Sequence, residues 1–165
     1  MREEDLYPQV RNWLESELRS SMRGAERINA YITPRTSVTR LLESEGLAPF
    51  FNSEYITYDI RVDITGVVVK NGRGHLVFVE CKMNKISLRD FSQLLGYSVV
   101  ARPLYSLIIS PKGISDSLQK LIDSFSRTDI LKYGRDRRIA LAKWDIAKKD
   151  IDRMTIIPRG WSFKL

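Results

Sequence analysis

A mixed β-sheet with helices against both faces, in one α/β domain spanning residues 1–165, is the fold this sequence predicts. Three observations predict it. Segments with apolar residues every three or four positions alternate along the chain with runs dense in β-branched and aromatic residues. Two of those runs flank "NGRG" at 71–74, a hairpin signal. The later runs are separated by helical segments that can cover the faces of a sheet.

The elements follow in order. Leu6, Tyr7, Val10, Trp13, Leu14, Leu18 and Met22 have helical spacing, and Pro8 suits the first turn, where its missing N–H costs little. Residues 23–36, rich in Arg and Thr, read as irregular, and "SVTRLLESEG" as a short helix begun at Ser37 and stopped by Gly46. "EYITYDIRVDITGVVVK" reads as extended and "HLVFVECKM" as its return strand. In "SLRDFSQLLGYSVVA", Ser87 and Asp90 form a capping-box variant, and the helix should end before Pro103. "LYSLIIS" is a strand, "ISDSLQKLIDSF" a helix, and "RRIALAKWDI" a late strand. The expected order is α–(α)–β–β–β–α–β–α–β.

Charge and cysteine content narrow the function classes. The net charge is +7, and it is uneven: residues 84–165 hold 16 Lys/Arg against 8 Asp/Glu, whereas residues 1–83 hold 11 against 12. The second half suits a polyanionic partner. A single Cys excludes an internal disulfide, and one Cys with one His speaks against a zinc site and a Cys–His dyad. No apolar run reaches membrane-spanning length and "MREEDLYPQV" lacks a secretion signal, so a cytoplasmic location without membrane contact is expected.

The hairpin brings the informative charges together. A two-residue "NG" turn sets Asp63 opposite Glu80. A "GR" turn, or a loop of all four residues, sets Asp63 opposite Lys82 and Thr65 opposite Glu80. Either even-length loop leaves Asp63, Glu80 and Lys82 on one face, because side chains alternate with period two. That face begins apolar, with Val67, Val69, Leu76 and Phe78, and carries its charges only at the far end. The opposite face holds Val62, Ile64, Val68, Val77, Val79, Cys81 and Met83. A solvated strand would be polar along its length. Two carboxylates brought together on a partly buried face repel. Lys82 and Arg61 are candidate compensators, but a divalent cation that takes a few carboxylate oxygens answers the repulsion better.

Asp63, a hairpin and then Glu80-Cys81-Lys82 resemble the PD-(D/E)xK nuclease superfamily, although Arg61-Val62-Asp63 lacks that family's proline. The resemblance implies a restriction endonuclease-like αβββαβ core, covering about residues 3–110, with an αβ extension over about 111–165. Gln93-Leu94-Leu95-Gly96-Tyr97 is similar to the Q-x-x-x-Y motif of the RecB-like branches. Gln93 and Tyr97 stand one helical turn apart, with Arg89 a turn earlier. The family also draws an acid from its first helix. Glu17 shares the apolar sector with Val10 and Trp13, and is chosen over Glu15 and Glu4. The resemblance further implies Mg2+, replaceable by Mn2+, held by Asp63, Glu80 and the Cys81 carbonyl. Lys82 would position the attacking water or stabilise charge. Arg61, Arg89, Arg102, Lys112, Arg135, Arg137 and Arg138 are expected to hold the nucleic-acid backbone. The expected activity is phosphodiester hydrolysis on DNA in preference to RNA. Exonuclease, restriction-type and junction-resolving activities stay open, as does a homodimer. The alternative is a non-catalytic nucleic-acid-binding or scaffold domain, against which the intact Asp63, Glu80 and Lys82 speak.

Overall fold

The computed structural model describes residues 1–163. After a short 3-10 turn at Glu3–Leu6 come helix α1 (Tyr7–Ser21), strand β1 (Arg27–Ile32) and helix α2 (Val38–Ser44). Two 3-10 turns, Ala48–Phe50 and Ser53–Thr57, lead to β2 (Ile64–Lys70) and β3 (Arg73–Cys81). Then follow α3 (Leu88–Ala101), β4 (Tyr105–Ser110) and α4 (Asp116–Ile122). The chain continues through β5 (Lys132–Gly134), β6 (Arg137–Arg138), β7 (Ala140–Asp145) and β8 (Asp150–Ile157).

Six strands form one mixed sheet in the order β1-β2-β3-β4-β7-β8. β3, β4 and β7 run parallel, and the outer pairs β1–β2, β2–β3 and β7–β8 are antiparallel. The α/β class and the helices on both faces are as expected. α1 and the aromatic C-terminal segment cover one face, where Trp13 and Trp144 meet edge-on at 5.5 Å and are core. α2, α3 and α4 cover the other. Gly66 lets α1 come close: a Cβ there would lie 3.1 Å from Val77 Cβ and 3.3 Å from Leu14 and Leu18. No helix among the described residues is long and apolar enough to cross a membrane.

The element order differs from the expectation at the first strand and at the C-terminal strands. The first strand is β1, inside the segment read as irregular, while residues 54–63, read as extended, are all 3-10 turn, loop and bend. β1 is an edge strand. It buries only Ile28 and Ala30 and shows Arg27, Asn29 and Tyr31, so its composition carries little strand signal. Its stability comes from pairing with β2, from Arg27 opposite Val69 to Ile32 opposite Ile64. β8 was likewise unread, since its middle carries the exposed Arg153 and Met154.

The parallel strands give the sheet two distinct ends. Cys81, Ser110 and Asp145 close β3, β4 and β7 at one end. The β2–β3 turn, the entry to β4 and the β5–β6 hairpin lie at the other. About 20 Å separates Gly74 from Glu80 along β3, at roughly 3.3 Å per residue.

Candidate active site

The β2–β3 turn is the two-residue one. Asn71 and Gly72 both have positive φ, 52° and 72°, as a type I′ turn requires. The register runs from Lys70 opposite Arg73 to Ile64 opposite Val79. One further step sets Asp63 beside Glu80, the first of the two sequence registers. Strand geometry stops at Ile64, however. Val62 therefore packs in the α2–α4 core and not with Ile64, correcting the expected alternation.

That bend frees the Asp63 carboxylate to turn onto the edge of β3. Its Oδ2 accepts the Cys81 N–H at 2.8 Å, in place of a ladder carbonyl. Its Oδ1 accepts the Tyr7 hydroxyl at 2.9 Å, delivered by the first turn of α1. Tyr7 Oη also stands 3.4 Å from Glu3 Oε1. A residue's N–H and C=O point to the same edge of a strand, so the Cys81 carbonyl faces the Asp63 side as well. The Cys81 side chain is fully buried in the α1 core, and burial pushes its thiol well up, which removes it as a nucleophile.

Asp63 and Glu80 are only 7% and 8% exposed. Burial, and then the adjacent Asp63 carboxylate, push Glu80 from its ordinary 4.5 up to about 9. Lys82 is the nearest candidate counter-charge, but its ion-pair contact is with Asp90, at 4.0 Å. Among the described residues neither Asp63 nor Glu80 makes an ion pair. Burial alone would lower Lys82. The carboxylates of Glu80, Glu3, Asp63 and Asp90 outweigh it and raise that ammonium's pKa. Glu3 is raised by burial, against the attraction of Lys82 and with the repulsion of Asp63. These five groups share one electrostatic environment.

Asp90 does two jobs. It closes the α3 capping box, accepting from Ser87 N–H and Oγ at 2.9 and 2.8 Å, and it also reaches Lys82. The expected α3 start, cap and stop before Pro103 are all present. Further along α3, Gln93 Nε2 donates to Tyr97 Oη at 3.4 Å. Arg89 is exposed beside them.

Glu17 is not at this site. It bonds Arg153 at 3.1 Å, ten residues (about 15 Å of helix) beyond Tyr7. Glu4 pairs outward with Arg35. The acid and hydroxyl near the pair are Glu3 and Tyr7, which sequence reasoning missed. The signal was a polar-tipped aromatic in the apolar stripe, one turn after an acid. The basic residues divide. Arg61, Arg89 and Lys112 are exposed on segments at the carboxylate end. Arg102, Arg135, Arg137 and Arg138 lie at the opposite end. Arg102 pairs with Glu54, and Arg137 donates to the Arg102 and Pro103 carbonyls.

Among the described residues no group of three or more His, Cys, Asp or Glu is arranged to hold a metal ion. The donor set that fits a hard divalent cation is smaller: two touching, buried carboxylates without an ion-pair partner, and a carbonyl on the same edge. No family model matches the chain, and no curated protein matches it significantly, so the functional reading rests on this chemistry.

Proposed function

We propose that the chain is a metal-dependent nuclease of restriction endonuclease-like fold, hydrolysing phosphodiester bonds in DNA in preference to RNA. The observation that carries this reading is the buried Asp63–Glu80 pair, which has no ion-pair partner among the described residues and lies beside Lys82. Asp63, Glu80 and the Cys81 carbonyl would hold Mg2+ or Mn2+. Bound there, the cation would lower the pKa of a water and polarise the phosphate.

The protein's own groups divide the remaining work. Tyr7 and the Cys81 N–H fix both Asp63 oxygens, so the carboxylate is oriented before any ligand arrives. Lys82 places an ammonium where negative charge develops on the phosphoryl oxygens, and Asp90 steadies it from the start of α3. Gln93 and Tyr97 extend this polar row along α3 and can orient the scissile phosphate. Arg61, Arg89 and Lys112 offer backbone contacts at the same end, which makes binding salt-dependent.

Incubation with linear, circular, single-stranded and branched DNA, and with RNA, in Mg2+ or EDTA tests the reading. Cleavage should require the metal and should be lost in Asp63→Ala and in Lys82→Ala, with the fold retained by circular dichroism. Full activity in either variant, or binding without any cleavage, would reject the nuclease assignment; the second result is the behaviour of a scaffold.

A further inference from the structure

A cavity of about 680 Å³ opens at the hairpin end of the sheet, some 20 Å from the carboxylate pair. It is within the size range of small-molecule sites. Its walls are the 3-10 turns at Ala48–Phe50 and Ser53–Thr57, the start of β3, the end of α3 and the β5–β6 hairpin. Two kinds of side chain line it. Phe50, Phe51, Tyr55 and Tyr133 supply aromatic surface, and the first three are only half-buried. Arg73, His75, Arg135 and Arg137 supply positive charge. The lining acid, Glu54, is already bound to Arg102 at 2.8 Å.

The charge is concentrated here. His75 is driven below its ordinary range by burial and then by Arg137, Arg73 and Lys70. Arg73 and Arg135 are exposed, and neither makes an ion pair or side-chain hydrogen bond among the described residues. Gly74 is part of the construction: a Cβ there would collide with the Phe51 ring, so that ring lies directly on the strand where a side chain would stand. A purely apolar ligand has no use for the guanidinium groups, and an inorganic anion has no use for the rings. An aromatic ring joined to a phosphate uses both, by stacking and by charge-assisted hydrogen bonds.

We propose that this cavity binds a nucleotide, its base against the aromatic wall and its phosphate against Arg73 and Arg135. The nucleotide is either free or part of a single strand. The site is independent of the carboxylate pair and of any cleavage.

Binding is measured with the full chain in EDTA, by fluorescence anisotropy with a labelled oligothymidylate and with the same strand made abasic. Thymidine and adenosine monophosphates and inorganic phosphate serve as competitors. Tyr55→Ala should weaken oligothymidylate binding by about 5- to 100-fold, the range for loss of one stacked base, and leave abasic binding unchanged. Arg73→Ala and Arg135→Ala, at exposed positions, should weaken both strands. Displacement by a monophosphate identifies a free-nucleotide site; binding of the strand without that displacement identifies a single-strand site. Equal affinity for abasic and intact strands, equal competition by inorganic phosphate, or wild-type binding in all three variants overturns the proposal. Asp63→Ala should bind normally. Failure here with Mg2+-dependent cleavage intact removes only the cavity; binding without cleavage removes only the nuclease reading.

Discussion

Replacing Glu80 by Gln should make the metal-free protein more stable at neutral and alkaline pH. Glu80 is 8% exposed, has no ion-pair partner among the described residues and lies against Asp63, and its carboxyl is raised from 4.5 to about 9. Between those values the folded chain binds a proton that the unfolded chain has released. Stability associated with the protonated group is therefore complete below about 4.5 and is lost as pH rises through about 9. The slope for one proton is about 1.4 kcal/mol per pH unit, so about 4 kcal/mol disappears between pH 5 and pH 8. For a domain of this size each kcal/mol is worth roughly 2–4 °C, which makes the loss about 8–16 °C in Tm. Gln is isosteric, uncharged and able to donate to Asp63, so Glu80→Gln should lack this component. The assay is thermal and urea denaturation of both proteins in EDTA from pH 5 to 9. Glu3, raised in the same direction, contributes to both curves and cancels in their difference. Adding Mg2+ should stabilise the wild type increasingly as pH rises, because cation and proton compete for the carboxylates. Parallel curves for the two proteins would refute the buried-pair reasoning.

Gly66→Ala should destabilise the fold by about 1–3 kcal/mol in urea denaturation, because its methyl meets Val77 at 3.1 Å and Leu14 and Leu18 at 3.3 Å. Glu3→Gln should lower Mg2+-dependent cleavage while Glu17→Gln leaves it within error, since Glu17 is engaged with Arg153; the reverse ranking in a plasmid-nicking assay would restore Glu17 as the first-helix acid. Ser87→Ala should cost about 1 kcal/mol through loss of the α3 cap, read as a lower denaturation midpoint.

Local rules carried most of the element assignments. The α1 stripe, the Ser87–Asp90 box, the stop before Pro103 and the Asn71-Gly72 turn each depend on residues within a few positions of one another, and each is present. β1 and β8 escaped because an edge strand buries one face and borrows its stability from a neighbour. Glu17 shows the limit of a helical wheel: angle about the axis says which side faces the sheet, not how far along the sheet a residue lies.

The candidate site divides the same way. Period-two alternation and an even turn put Asp63, Glu80 and Lys82 on one face from sequence, while the two-residue turn chose the register and the bend before Ile64 turned the Asp63 carboxylate onto β3. Residues far apart in sequence decided the rest: Tyr7 on Asp63, Asp90 on Lys82, and Arg102, Arg135, Arg137 and Arg138 at the far end of the sheet. Charge composition is a sum over the chain and has no direction. Only the parallel run of β3, β4 and β7 separates a carboxylate end from a basic, aromatic one, because strand direction determines where each connecting segment emerges.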